Sequence, residues 1–251
     1  MLSGTGGPGL TMLGTFIKWT FVGSAVLLPV SCWNADALPG GLVTLPELAN
    51  EPHQEAVDEP AFEVQQGGVR YRVTPRYRYR LHGLVVSRRA HDGERMLHRR
   101  WNDHLNVADV CVVWGDNATA DLAAFDFRSG QFTCYFRTDD AAAWRAFRTA
   151  QMANNHLLSD DPRIRERIAD VQVGDQIRFE GYLASYRNDS GFERDTSVVR
   201  TDTGNGACET VFVTRFELLS PSPSVWPRLE GAAGFGLLGS ALLWLVAALK
   251  G

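Results

Sequence analysis

Residues 69–86 read VRYRVTPRYRYRLHGLVV. Arg70, Arg72, Arg76, Arg78 and Arg80 fall on one parity, and Tyr71, Val73, Tyr77, Tyr79 and Leu81 on the other. A period of two is the signature of a β-strand, here with one arginine face and one aromatic face. Pro75 cannot donate to a ladder, so this part of the strand is expected at an edge or a bulge. The arginine face has two readings. It is either a solvated face whose charges discourage edge-to-edge pairing, or a surface for anions, since guanidinium groups form charge-assisted, often bidentate bonds to phosphate and carboxylate. Lipid headgroups, polysaccharide, nucleic acid or an acidic partner would all fit the second reading.

Downstream, residues 106–115 (NVADVCVVWG) and 131–137 (QFTCYFR) are apolar, β-branched or aromatic runs that read as core strands. Asp139 and Asp140 can cap a helix carrying Trp144 and Phe147 on one face. A second helix opens at Asp160-Asp161-Pro162 and buries Ile164, Ile168 and Val171. Gly174-Asp175 is a turn into a strand over 176–184, and a last strand follows over 210–219. The phrases VGDQIRFEGYL and VFVTRFELL resemble small curved barrels of the OB type, in which a mid-strand glycine, here Gly181, permits curvature. The expected fold is therefore α+β and mainly antiparallel, a small curved OB-like barrel with two helices, flanked by membrane helices.

Both ends of the chain are apolar. Ala232 to Leu249 is an 18-residue run without a charge, about 27 Å of helix against a hydrocarbon core of about 30 Å. It is expected to span a membrane within 232–250. Leu10 to Val30 is apolar except for Lys18. Residues 1–33 then form either an uncleaved anchor or a signal peptide cut near Ala35-Asp36-Ala37, and Pro29 fits poorly with a lipoprotein signal ending at Cys32. Between these ends, 34–66 reads as a proline-rich acidic linker, 67–220 as the folded domain and 221–231 as a second proline-rich linker. Lys18 and Lys250 on one side put the domain on the other, with Arg228 pulling weakly the opposite way. The expected setting is a membrane with the domain on its non-cytoplasmic side.

Of 251 residues, 45% are apolar and 22% charged, with a net charge of −4; this excludes a disordered chain and a global positive field drawing it to nucleic acid. No specific nucleic-acid partner is expected. No Walker, G-x-G-x-x-G, G-x-S-x-G or H-E-x-x-H motif is present, and no cofactor is implied. Cys111, Cys134 and Cys208 lie in the domain, an odd number. Three pairings are open, with Cys111–Cys134 the first choice, beside the alternative of three small buried core residues. The loop 188–209 concentrates carboxylates on glycine-rich turns, which makes Asp195, Asp202 and Glu209 the calcium candidates, without an EF-hand register. Cys208 as nucleophile with His156 as base is the only catalytic pairing on offer. Trp101, Asp103, His104 and Asp109 form a dense polar and aromatic patch, read as the approach to a strand.

From about Tyr79 to Leu219 the chain also resembles a widespread group of bacterial proteins, through DVCVVWGDN, SGQFTCY, NNHLLSDD, GDQIRFEGYL and RTDTGNGACE. That resemblance implies a shared domain and a bacterial envelope location, so that the membrane would be the bacterial inner membrane and the domain would face the periplasm or exterior. The reading of function is a membrane-anchored, non-enzymatic binding or assembly module outside the cytoplasm. Its partners would be membrane lipid, an anionic lipid or a membrane protein, and its binding surface the five arginines. The alternative is an envelope hydrolase using Cys208 and His156.

Overall fold

Two long apolar helices bracket the chain, α1 (Pro8–Ala35) and α6 (Trp226–Lys250). The computed structural model describes residues 8–91, 93, 96–130, 132–201 and 208–250. It separates into one unit containing both helices and another over Leu38–Pro223. In the helical unit, Met12–Ala35 and Trp226–Leu249 are 24 residues each with mean hydropathy 1.5 and 2.0, and about 36 Å of helix is long enough to cross a membrane. Their outer faces carry exposed Phe16, Trp19, Leu242 and Trp244. The two helices meet where Gly236 lies against Ser24 and Thr20, too close for a β-carbon. The second helix starts at Trp226 instead of 232. Pro227 belongs to its first turn, where proline breaks no intrahelical bond, and the expected linker 221–231 is shortened accordingly.

The second unit is built on one sheet. Its strands are β1 (His53–Ala56), β2 (Phe62–Gln66), β3 (Val69–Ala90), β4 (Asn106–Val113), β7 (Met152–Leu158), β8 (Gln176–Asn188), β9 (Glu193–Arg194) and β10 (Glu209–Ser220); β5 (Asp126–Ser129) and β6 (Cys134–Arg137) form a separate two-stranded sheet. Four helices are short: α2 (Met96–Trp101), α3 (Asp116–Thr119), α4 (Ala141–Ala146) and α5 (Pro162–Ala169). The arginine–tyrosine stretch is the first half of the 22-residue β3, with Tyr71, Val73, Tyr79 and Leu81 fully buried and the arginines exposed. Pro75 sits at a bulge, where the register with β8 shifts before Tyr77.

Along one edge β3 pairs antiparallel with β8 from Tyr71 to Leu84. Along the other it pairs in turn with β2, β1 and, from Leu84 to Ala90, β4. The pairing continues antiparallel from β4 to β7, parallel from β7 to β10 and antiparallel from β10 to β8, so the path returns to β3. The sheet is largely antiparallel and the unit is mixed α+β. Gly181 stands where β8 and β10 close up: a β-carbon there would overlap the Phe212 carbonyl. Inside the curve lie Val110, Val112, Trp114, Leu157, Phe179, Leu183 and Val213, closed at one side by Ile168 of α5. Asp161 caps α5 by accepting from the Arg163 and Ile164 amides, as its Asp-Pro start leads one to expect.

Three expectations are corrected here. Residues 38–66, expected as tether, are part of the folded unit: β1 and β2 cover the free edge of β3, and Leu48 is fully buried. A long strand with half an edge unpaired recruits neighbouring chain, and Gly67 and Gly68, both at positive φ, supply the two-residue turn that folds β2 back onto it. Of the expected strand 131–137, the residues 132–137 do not join the main sheet; among the described residues β6 pairs only with β5, and it lies over β4. The helix expected after Asp140 ends at Ala146, because Phe147 turns to extended backbone to pack against Phe125 and Phe136.

Candidate functional site

On the outward face of β4 and β7, opposite the core, a cluster of polar side chains around Asp109 and His156 is buried. Asp109 of β4 and His156 of β7 are cross-strand partners, and His156 Nδ1 donates to Asp109 Oδ1 over 2.5 Å. The other ring nitrogen, Nε2, accepts from Arg194 Nη1 at 2.8 Å. A guanidinium has no acceptor, so Nε2 must be bare and the proton given to Asp109 sits on Nδ1. Asn106 Nδ2 also donates to Asp109 Oδ1, at 3.3 Å, and His91 Nε2 lies 3.1 Å from the same oxygen. His91 and His98 stack with ring centroids 3.9 Å apart. His98 Nδ1 donates to Asp103 Oδ2 at 3.1 Å, and the Tyr186 hydroxyl donates to Asp103 at 3.0 Å. The two carboxylates are fully buried and the three imidazoles no more than 4% exposed.

Electrostatics follow from this packing. Burial pushes the Asp109 carboxyl up, but the adjoining His156 and His91 rings outweigh it and hold the group well below the usual carboxylate range. Burial, with the Asp103 charge beside it, pushes the Tyr186 phenol far above its ordinary value.

Phe132, at φ 62°, lays its ring 5.3 Å from His98, 6.1 Å from His156 and 6.3 Å from His91. Trp101 stacks between Phe132 and Phe192, and the Arg194 guanidinium stands 4.3 Å above Phe132. Two residues beyond Phe132, Cys134 is bonded to Cys111 of β4, the pairing favoured from sequence. Cys208 gives its thiol proton to the Phe132 carbonyl at 3.3 Å and its sulfur accepts from Asn154 at 3.5 Å. Burial pushes this thiol up, with the Glu209 charge adding to it and the Asn154 bond opposing. Cys208 and His156 therefore share a neighbourhood, but both ring nitrogens are committed to Asp109 and Arg194, and the thiol is held in its protonated form.

The remaining candidates are distributed differently. Arg70 faces Asp189 at 3.8 Å, Arg76 faces Asp195 at 2.9 Å and Arg78 faces Glu59 at 2.7 Å. Arg72 stands opposite Glu63, and Arg80 opposite Glu180. Arg70, Arg76 and Arg78 are thus ion-paired, whereas Arg72 also stands beside Arg187 of β8 and the Glu180 carboxylate is bonded to Arg178. Of the calcium candidates, Asp195 is taken by Arg76 and Glu209 by Arg200 at 2.7 Å, while Asp202 lies outside the described residues. No group of three or more His, Cys, Asp or Glu side chains among the described residues is arranged to hold a metal ion. Sequence reasoning missed His91, His98, Phe132, Tyr186 and Arg194. The polar patch at Trp101, Asp103 and Asp109 was the visible signal, and its partners come from segments far along the chain. In comparisons with known proteins, no family model, no curated protein and no solved structure matches the chain.

Proposed function

We propose that this chain is a membrane-anchored binding module whose folded unit lies outside the cytoplasm and is an OB-type barrel. The observation that carries the reading is the order of strand pairing, β3–β4–β7–β10–β8 and back to β3, with the single parallel pair between β7 and β10 and α5 connecting β7 to β8. In OB barrels the second and third strands, flanked by the connections after the first and the fourth, form the ligand face. Their counterparts here are β4 and β7 with connections 91–105 and 189–208. These are the segments that contribute Asp109, His156, His91, His98 and Arg194. The Cys111–Cys134 disulfide supports an oxidising compartment. Two flanking helices apolar enough to span a membrane support anchoring.

Binding is favoured over hydrolysis because His156 has no nitrogen left to serve as base and the Cys208 thiol is raised in pKa. The arginine face is the weaker ligand surface, since three of its five guanidinium groups are already ion-paired. The test is capture of the full-length chain from its native membrane with identification of co-purifying lipids, glycans and proteins. A reproducible bound species, kept in Cys208→Ala, is expected. Absence of any species above a tag-only control, or a turnover abolished by Cys208→Ala in a folded chain, would overturn the reading.

A further inference from the structure

We infer that residues 116–151 are a cap on the β4–β7 face and that the Cys111–Cys134 disulfide is its latch, so that reduction by a dithiol uncovers the buried histidine site. Among the described residues the cap forms no ladder with the main sheet, since β5 and β6 pair only with each other. It rests on the face through Phe125, Phe127 and Phe147, which pack with Cys111 and Val113 of β4. Its tip is held in three ways close to the disulfide: Ser129 and Cys134 both contact Ser87 Oγ, at 2.9 and 3.6 Å, and the Phe132 carbonyl accepts the Cys208 thiol proton. Phe132 is thereby fixed over all three imidazoles, in a left-handed backbone conformation that a phenylalanine rarely adopts.

Closure leaves polar atoms unserved. Asp109 Oδ2, Asn154 Oδ1 and His98 Nε2 are buried without a hydrogen-bond partner among the described residues. The carboxylate and amide oxygens are acceptors. Covering acceptors without donors opposes closure, and the covalent link offsets that opposition. When a dithiol is oxidised to its disulfide, Cys111 and Cys134 gain one hydrogen each and the tip is released, exposing acceptors suited to a donor-rich ligand such as a polyol or an ammonium group. That the uncovered floor is the ligand face rests on the OB reading, whereas the latch rests only on the cap's own contacts.

The test uses the full-length chain in lipid nanodiscs and diethyl pyrocarbonate, which carbethoxylates accessible imidazoles. Modification is read by peptide mass spectrometry for the oxidised chain, for the chain reduced with dithiothreitol and desalted, and for Cys134→Ser. Exposed His53 serves as the internal reference. His91 and His98 are expected to be protected in the oxidised chain and to react at least tenfold faster in the other two, while amide exchange in β8 and β10 stays unchanged. Unaltered protection would show that packing alone holds the cap and would overturn the latch. Faster modification accompanied by exchange throughout β8 and β10 would also overturn it, making the disulfide a staple of the whole domain. Release of the histidines with no ligand captured would leave the latch standing and count against the OB ligand face.

Discussion

The arginine face of β3 and the histidine face of β4–β7 belong to one sheet and are built on opposite principles. Five arginines crowd into eleven residues of β3, all exposed, and three of them are ion-paired with an acid on a neighbouring strand or loop. The histidine face gathers two carboxylates, three imidazoles, a phenol and a guanidinium from β3–β4, β4, β7, β8 and β9, nearly all out of contact with water. Exposed ion pairs are solvated whether or not they form, so their energetic worth is small and salt screens it. Buried charges have no such alternative, so each partner there is structurally necessary. A dense run of charge in sequence can thus be the quiet region, and scattered single polar residues the loaded one.

That contrast can be broken most severely at Asp109. Asp109→Ala leaves the His156 Nδ1–H and its Arg194-bound ring without an acceptor, and a loss of about 3–5 kcal/mol is expected in denaturant unfolding of the anchored chain. A loss below 1 kcal/mol would place this network with the surface pairs. The same group sets an acid limb. Its folded pKa is depressed, so its stabilisation is complete above the unfolded carboxylate value of about 3.9 and is lost as pH falls from there toward the lower folded value. Asp109→Asn should flatten that part of the stability–pH curve, and an unchanged acid limb would contradict the assignment.

The disulfide comes next in size. Cys111 and Cys134 are 23 residues apart, and removing the cross-link should destabilise the closed cap by about 3 kcal/mol through the entropy of the freed loop, read as faster amide exchange in β5 and β6 with β8 and β10 unaffected. Liquid chromatography of unreduced peptides should first show the linked pair. Gly181→Ala sharpens the picture of the sheet itself. Its β-carbon would collide with the Phe212 carbonyl, so β10 must shift, and a loss of about 1–3 kcal/mol is expected. The smallest effect belongs to Arg76, Arg78 and Arg80 replaced together by Gln, for which calorimetry should find the melting temperature unmoved within error. A marked drop would mean that the arginine face is a structural network after all.

How much of this was legible in sequence follows the same division. Strict alternation in 69–81 gave β3 and its inner face, and the Asp-Pro start and i, i+4 spacing gave α5, because both are local patterns. The disulfide was favoured from the proximity of two strand-like runs. The histidine site was not legible: His91 and His98 meet Asp109 and Asp103 only once β3, β4 and the 91–105 connection are folded, and Phe132 reaches them from the far end of the 116–151 excursion. Residues 38–66 were misjudged as tether because proline and acid content reports local stiffness and solvation, whereas their pairing with β3 is decided by an edge that needs partners.

On the reading proposed above, ligand chemistry resides at the β4–β7 face and its flanking connections, and the arginine face is the weaker surface. Photo-crosslinking side chains placed singly at exposed Arg100, in the connection beside Trp101, and at exposed Arg72 on β3 test it directly in the native membrane. The account expects a discrete adduct from position 100 and none from position 72. A discrete adduct from position 72 alone would contradict it.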